Sequence, residues 1–186
     1  MEDNAIIDLF CARSESAIAA ASQKYGAYCT KIAMNILRSS EDADECVNDA
    51  YLAAWNAIPP HRPSIFSAFL GKITRNLAFD KYKSRNAKKR GGNEIELILD
   101  ELEDCIASQN DVEAEFDAKQ TSKIINEFLY SIESEQRAVF VRRYWYSDGI
   151  ADIASRFNMS QSKVKSMLFR IRNKLKVYLE TEGVLS

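Results

Sequence analysis

A chain of 186 residues is long enough for one large domain or two small ones, and its 46% hydrophobic and 28% charged residues are typical of a folded protein rather than a disordered one. No apolar run approaches the roughly 18 residues that a membrane span needs. The acidic start MEDNAIIDLF also lacks the basic residues of a signal peptide, so we expect a cytoplasmic protein without membrane insertion. Only six glycines and three prolines interrupt the chain, which favours an all-α fold.

The formal net charge of −2 conceals an uneven distribution along the chain. Residues 72–90 contain eight bases and one acid, residues 94–117 contain ten acids and no base, and residues 156–176 contain seven bases and no acid. Two basic blocks therefore flank an acidic one. Such blocks favour a polyanionic partner despite the acidic net charge.

The four cysteines, at positions 11, 29, 46 and 105, match no zinc-binding spacing, and His61 is the only histidine. We interpret the cysteines as reduced and mostly buried small hydrophobic residues. The sequence therefore predicts no metal site.

Helical periodicity predicts the elements of the first half, which we interpret as one domain spanning residues 1–90. Hydroxyl caps are expected at Ser39-Ser40, where two acids follow in the first turn, and at Ser64, after the prolines of the 59–63 loop. The predicted helices cover residues 4–12, 14–37, 40–55 and 64–89.

The third predicted helix, EDADECVNDAYLAAW, is acidic and amphipathic. Its apolar residues fall near one side: Val47, Tyr51, Ala54 and Trp55. A surface this acidic does not suit DNA. It suits a basic partner protein, or it is an ordinary solvent-exposed face.

The fourth predicted helix combines an apolar face with a basic and aromatic one. The inner residues are expected to be Phe66, Phe69, Leu70, Ile73 and Leu77. The outward residues are expected to be Lys72, Arg75, Phe79, Tyr82 and Asn86. Rings stack on bases and cations hold phosphates, so this outward face suits single-stranded nucleic acid. The alternative is that Phe79 and Tyr82 pack on a neighbouring helix, because aromatic residues are more often buried.

Gly91-Gly92 ends the first half, and we interpret residues 91–110 as an acidic linker with at most one helical turn. Asp148 and Ser160 are expected to cap two later helices, with Asn158 in a left-handed turn between them. Two helices joined by such a turn are typical of a helix-turn-helix, whose second helix enters the DNA major groove. The predicted helices of this second domain, residues 111–186, cover residues 111–131, 134–146, 149–157 and 160–180.

The last helix has an inner face of Val164, Leu168, Ile171 and Leu175. Opposite it lie the residues that can contact base edges and thymine methyls: Ser162, Lys165, Ser166, Phe169 and Asn173. Four bases flank them and can hold phosphates: Lys163, Arg170, Arg172 and Lys174. The alternative, a solvated basic face, is disfavoured by the outward Phe169 and by the absence of acids, since solvated faces usually mix charges.

These segments, in this order, resemble bacterial RNA polymerase sigma factors of the sigma-70 family, extracytoplasmic-function type. Residues 42–55 resemble the family's core-binding helix AEDLVQETFLRAW, and KITRNLAFD at residues 72–80 resembles its promoter-melting helix RIARNLAID. Residues 150–170 resemble its helix-turn-helix sequence EEIAEILGIPVGTVKSRLHRAR. The resemblance covers nearly the whole chain and implies two small helical domains, sigma region 2 and sigma region 4.

The resemblance implies that the protein binds core RNA polymerase, at the β′ clamp helices and the β flap. It then directs the polymerase to promoters as a non-enzymatic factor, without a cofactor or a small-molecule substrate. The residues on or beside the surface for the clamp helices would be Asp44, Glu45, Asn48, Asp49, Tyr51, Leu52 and Trp55. An anti-sigma factor is a further implied partner, and the resemblance leaves open that it holds the protein at the membrane.

Promoter DNA is the other implied partner, both as duplex and as melted strand. The residues for the −10 element and the melted strand would be His61, Arg62, Lys72, Arg75, Asn76, Phe79 and Lys83, with Asn76 helping to capture a flipped base. The residues for the −35 duplex would be Ser162, Lys163, Lys165, Ser166, Phe169, Arg170 and Asn173. Arg142 and Arg143 are further candidates for phosphate contacts, and the acidic linker would cross the RNA path of the polymerase.

The sequence departs from the family pattern at two places. Family members often place an aromatic-Arg-Gly in the loop before the melting helix, whereas this loop reads PPHRP, with His61-Arg62 in place of aromatic-Arg. The family's −10 preference is therefore not carried over. Cys46 stands where an aliphatic residue is usual, and we expect it to be buried.

Three other classes of protein remain as alternatives. A regulator with a helix-turn-helix and a sensor domain would leave the acidic helix and the Arg75–Tyr82 face unexplained. An enzyme would need a catalytic constellation, and one histidine in a proline-rich loop with no glycine-rich phosphate loop supplies none. A helical adaptor should not carry a DNA-reading face.

Overall fold

The structure is a computed structural model that describes residues 1–86, Ile98, Glu101 and residues 114–183, and for residues 86 and 114–122 it describes the backbone only. All regular elements in these ranges are α-helices, which confirms the predicted fold class. The chain divides into two compact units, Met1–Gly91 and Gly92–Ser186. None of the described helices is long and apolar enough to cross a membrane.

The first unit is built on its second helix, which packs against the other three helices of the unit, while the third and fourth helices also pack on each other. Its core includes Ile6, Phe10, Ile32 and Leu70, all fully buried. Where the structure describes them, the ends of the helices lie within two residues of the predicted ends. The helices are α1 (Asp3–Cys11), α2 (Ser16–Leu37), α3 (Ser40–Ala57) and α4 (Phe66–Asn86).

One of the two predicted caps in this unit is confirmed. The Ser39 hydroxyl accepts a hydrogen bond from the backbone N–H of Asp42, at 3.3 Å, and so satisfies one free donor of the first turn of α3. Ser64 does not cap α4. That helix begins at Phe66, and its first backbone hydrogen bond runs from the N–H of Phe69 to the carbonyl of Ile65.

The inner face of α4 differs from the predicted one. Four residues of α4 that recur at four-residue steps are fully buried: Phe66, Leu70, Thr74 and Ala78. Three residues that were predicted to be inner are only half-buried: Phe69, Ile73 and Leu77. Small residues occupy the interior because α2 and α4 approach closely: a Cβ atom at Gly71 would lie 2.2 Å from the Tyr28 hydroxyl oxygen. The prediction favoured large apolar residues and therefore missed a seam that is closed by small ones.

The second unit is organised around its last helix, which packs against each of the other three described helices of the unit. The helices are α5 (Ala114–Ser131), α6 (Ser134–Tyr144), α7 (Ile150–Arg156) and α8 (Gln161–Thr181). Val139, Ile153, Leu168 and Leu179 are among its buried core residues. The predicted ends are confirmed to within two residues, except that residues 111–113 lie outside the described residues.

Most of the predicted linker, residues 91–110, lies outside the described residues, as does Cys105. Ile98 and Glu101 are described: both are helical, and Ile98 is fully buried. The Glu101 carboxylate accepts a hydrogen bond from the Tyr144 hydroxyl at 2.9 Å. At these two positions the linker segment is therefore part of the second unit.

Candidate nucleic-acid and partner interfaces

The turn between α7 and α8 has the geometry that a helix-turn-helix needs. Asn158 takes the left-handed conformation (φ 51°), as predicted, and the N–H of Met159 reaches back to the carbonyl of Ala154 at 2.9 Å. The Ser160 hydroxyl then caps α8 by accepting a hydrogen bond from the N–H of Lys163, at 3.2 Å. These local contacts fix the direction in which α8 leaves the turn.

The structure confirms which side of α8 is buried and which side is exposed. The inner residues Val164, Leu168, Ile171 and Leu175 are at most 1% exposed. All seven residues assigned to duplex reading are exposed: Ser162, Lys163, Lys165, Ser166, Phe169, Arg170 and Asn173. The Phe169 side chain is 57% exposed, an unusual position for an aromatic ring unless it has a partner.

The exposed residues of α8 divide into two sets around the helix. At 100° per residue, Lys165 and Phe169 lie within about 40° of each other, while Lys163 and Arg170 lie about 100° or more from both. Lys163 and Arg170 line a groove of about 150 Å³ beside α6. Lys165 and Phe169 can therefore contact one partner surface, while Lys163 and Arg170 face a different direction, along the groove beside α6.

Arg142 and Arg143, which the sequence suggested for phosphate contacts, are engaged inside the unit. Arg143 is 2% exposed and donates to the backbone carbonyl of Asp148 at 3.2 Å. Arg142 forms an ion pair with the buried Asp148 carboxylate and lies over the Tyr146 ring. Asp148 therefore does not cap α7, whose N-cap is Gly149. These groups stabilise the approach to the helix-turn-helix, and the suggested phosphate role of the two arginines stays a prediction.

In the first unit, α4 exposes a narrow polar line. Lys72, Asn76 and Lys83 are all exposed, and their spacing of four and seven residues places them on one side of the helix. This part of the predicted melted-strand surface has the accessibility that its role requires.

Phe79 and Tyr82 do not lie on that surface. They are 6% and 7% exposed, so the predicted outward aromatic platform is wrong and the alternative of helix packing is correct. Arg75 follows Phe79 inward: its guanidinium lies 4.6 Å from the centre of that ring, and its Nε is buried without a hydrogen-bond partner. Burial lowers the pKa of Arg75 to about 10, and the side chain remains a cation at neutral pH.

The loop before α4 exposes the two residues that the sequence singled out. The His61 ring lies 5.2 Å from the Phe69 ring, which is half-buried at the start of α4. The Arg62 guanidinium donates to the Asp8 carboxylate at 2.7 Å and so ties the loop to α1. Sequence reasoning missed Ile65, which is 62% exposed in the same loop, and a large apolar residue beside a proline-rich turn was the available signal.

Helix α3 exposes an acidic side and buries the opposite one. Asp44, Glu45, Asn48 and Asp49 are exposed, and Leu52 adds an apolar side chain that is 56% exposed. Tyr51 does not belong to this surface, whereas Trp55, seven residues after Asn48, lies beside it. Tyr51 is 4% exposed, and the half-buried Trp55 packs on Phe10 and beneath the Arg13 guanidinium.

Three ion pairs join this acidic face to α4. Lys81 lies 2.5 Å from the Glu45 carboxylate and 3.4 Å from that of Asp42, which also pairs with Arg85. Hydrogen bonding to Ser39 and these cations lower the pKa of Asp42. The pairs orient α3 against α4 and leave Asp44, Asn48 and Asp49 available on the outer side.

Among the described residues, no cluster of histidine, cysteine and acidic side chains could hold a metal ion. Cys29 and Cys46 are buried, and burial raises the pKa of the Cys46 thiol to about 11.

Comparison with known proteins assigns a family to each unit. The model of Sigma-70 region 2 matches residues 23–88, and the model of Sigma-70, region 4, matches residues 124–175. The chain is 24% identical over 144 residues to a probable RNA polymerase sigma factor, RfaY, from Xanthomonas campestris pv. campestris. That alignment covers 77% of this chain and 35% of the relative, so the chain spans about a third of the length of the curated relative it matches.

Proposed function

Because the chain belongs to the sigma-70 family, with regions 2 and 4 in the arrangement of the extracytoplasmic-function type, we propose that it acts as a sigma factor: it binds core RNA polymerase and directs it to promoters. Members of this family are transcription initiation factors, and the proposed role uses binding energy rather than turnover. The observation that carries the proposal is the pairing of two family regions, each on its own unit, and each with an exposed basic helix face.

The second unit is proposed to read the −35 element as duplex. Lys165, Ser166 and Phe169 offer a cation, a hydroxyl and an apolar ring on one exposed side of α8, and these groups suit phosphates, base edges and thymine methyls. Ser162 and Asn173 extend that side, and Lys163 and Arg170 flank it. The rigid cap at Ser160 supports this role, since a reading helix must be held at a fixed angle.

The first unit is proposed to hold the −10 element and the opened strand. Lys72, Asn76 and Lys83 form the exposed line on α4, and the loop with His61 and Arg62 lies at the start of the same helix. Unpairing a base costs a few kcal/mol, and contacts to the flipped base and its phosphates offset that cost. Phe79 supports this face from below, as the ring on which Arg75 rests.

The exposed acidic side of α3 is proposed to dock on the polymerase clamp helices. Charge keeps this surface away from DNA, and Leu52 supplies the apolar contact that interfaces concentrate at their centre. The further partners, the β flap and an anti-sigma factor, are proposed from the family alone. A cytoplasmic location, free or through an anti-sigma factor held at the membrane, belongs to the same proposal.

Gel-shift titration with and without core polymerase tests the proposal. The probe is a pool of genomic fragments from the organism that encodes the chain. We expect sequence-selective retardation to require both the protein and the core enzyme. Equal affinity of the protein for the same fragments with and without core enzyme would contradict the proposal and would favour an autonomous helix-turn-helix regulator.

A further inference from the structure

A carboxylate from the linker segment lies in a basic pocket of the second unit. Glu101 accepts the hydrogen bond from the Tyr144 hydroxyl at 2.9 Å, and its Oε2 atom lies 3.4 Å from Nη1 of Arg172 and 3.5 Å from Nε of Arg143. Arg172 also donates to the Tyr144 hydroxyl, at 2.7 Å. Burial, and then the charge of Glu101, raise the pKa of Tyr144, so the phenol keeps its proton and donates.

The pocket is largely closed to water. The side chains of Arg143, Arg172 and Glu101 are 2%, 18% and 20% exposed. Three residues before Glu101, Ile98 is fully buried, so apolar contact at Ile98 adds to the charge contacts of Glu101. Ion pairs with this much burial are weakly screened by salt, in contrast to the exposed pairs elsewhere on the surface.

Arg172 also belongs to the face of α8 that is proposed to meet DNA. It lies seven residues after Lys165 and four before Lys176, so Lys165, Phe169, Arg172 and Lys176 follow one line along the helix. Lys165, Phe169 and Lys176 are exposed. Arg172 alone of the four turns its guanidinium inward, to Glu101 and Tyr144.

We propose that Arg143, Tyr144 and Arg172 form a carboxylate-binding site for Glu101 of the protein's own linker, and that occupation of this site withholds Arg172 from DNA phosphate. The inference rests on the proposed function, because it assumes that this side of α8 meets duplex DNA. A guanidinium that is turned inward and partly neutralised by a carboxylate pairs less well with a phosphate, so docking of Glu101 and full duplex binding compete. Release of Glu101 would open the site, and Arg172, relieved of this carboxylate, would add a phosphate contact.

The Glu101→Gln variant tests the competition, because a neutral amide holds two arginines less well than a carboxylate. The probe is a fluorescein-labelled 30-base-pair duplex of mixed sequence, which suffices because phosphate contacts carry no sequence information. Binding of the full chain is measured by anisotropy between 50 and 200 mM salt. One more phosphate contact should steepen the slope of log K against log salt by about 0.9, so that the gain in affinity is about threefold larger at 50 mM than at 200 mM.

Two further variants separate competition from other effects. Glu180→Gln removes the same charge from an exposed position on α8 and should leave the salt slope unchanged. In an Arg172→Gln background, Glu101→Gln should no longer steepen the slope. Circular dichroism confirms that each variant is folded.

The outcomes distinguish this inference from the proposed function. A Glu101→Gln protein that is folded but binds duplex with an unchanged slope, or more weakly, overturns the inference and reduces Glu101 to a structural contact. A steeper slope that persists without Arg172 also overturns it. If the wild-type protein and a Lys165→Ala, Phe169→Ala variant bind duplex equally weakly, the duplex-reading role of α8 itself fails.

Discussion

Arg75 is a cation with little access to water and, within the described part of the chain, no acidic partner. Its pKa of about 10 in the folded protein lies below its ordinary value, so folding disfavours the charged form. At pH 7 the group is still protonated, so the free-energy cost of burying its charge lowers the stability of the folded state. A buried, incompletely bonded guanidinium is expensive unless a phosphate or a base completes its contacts, which fits its place beside the melted-strand face.

Replacing this residue should therefore stabilise the free protein. Arg75→Met keeps an unbranched chain over Phe79 and removes the desolvated charge, so we expect the free energy of unfolding to rise by about 1 kcal/mol. Urea denaturation followed by circular dichroism measures it. Lys72→Met, at an exposed position of the same helix, is the control and should change stability by less than about 0.5 kcal/mol. A clear loss of stability in Arg75→Met would show that the guanidinium is well satisfied in the free protein.

Cys29 and Cys46 should be chemically silent in the folded protein. Burial raises the pKa of both thiols, that of Cys46 to about 11, so at pH 8 very little of the reactive thiolate is present. We expect iodoacetamide to modify Cys46 at least about a hundredfold more slowly than a free peptide thiol. Peptide-resolved mass spectrometry separates the sites, and the half-buried Cys11 serves as the internal comparison. Equal labelling of Cys46 and Cys11 under native conditions would contradict the packing of α3 on α4.

At the scale of elements, alanine substitution of two helical glycines should change stability in opposite directions. A Cβ atom at Gly71 would lie 2.2 Å from the Tyr28 hydroxyl and 2.9 Å from the ring, whereas one at Gly26 would meet atoms no nearer than 3.7 Å. Gly71→Ala should destabilise the first unit by about 1–3 kcal/mol, because α2 and α4 must separate. Gly26→Ala should instead stabilise it by up to about 1 kcal/mol, through helix propensity.

Thermal unfolding of the two glycine variants gives the comparison directly. Tyr28→Phe in the Gly71→Ala background removes the nearest atom and should restore part of the loss. A Gly71→Ala protein as stable as Gly26→Ala would mean that α4 lies farther from α2 than the structure places it.

The helices could be predicted from the sequence, but the face that α4 buries could not. Periodicity, caps and breakers are local, and they located the ends of α3 and α8 and the turn at Asn158. The burial of Phe79 depends on α4 packing against both α2 and α3, which widens the inner arc beyond what a single stripe suggests. Thr74 and Ala78 carry no hydrophobic signal strong enough to mark that seam.

At the scale of the whole molecule, the sequence predicted surfaces better than it predicted pairings. The exposed polar face of α8 and the acidic face of α3 follow from local pattern, and their accessible residues were found where expected. The contact of Glu101 with Arg143, Tyr144 and Arg172 joins positions more than 40 residues apart. No local pattern encodes such a pairing, and the acidic composition of the linker suggested only a charged tether.

The central claim is that two separable surfaces serve one initiation event, and run-off transcription with purified core polymerase tests it most directly. Genomic fragments supply the templates, and the matched variants are Asn48→Ala with Leu52→Ala on α3 and Lys165→Ala with Phe169→Ala on α8. We predict defined transcripts only with the wild-type protein. The α3 pair should lose core binding while keeping duplex affinity, and the α8 pair should keep core binding while losing the transcripts. Transcript patterns identical to those of core enzyme alone, or loss of core binding in the α8 pair, would contradict the account.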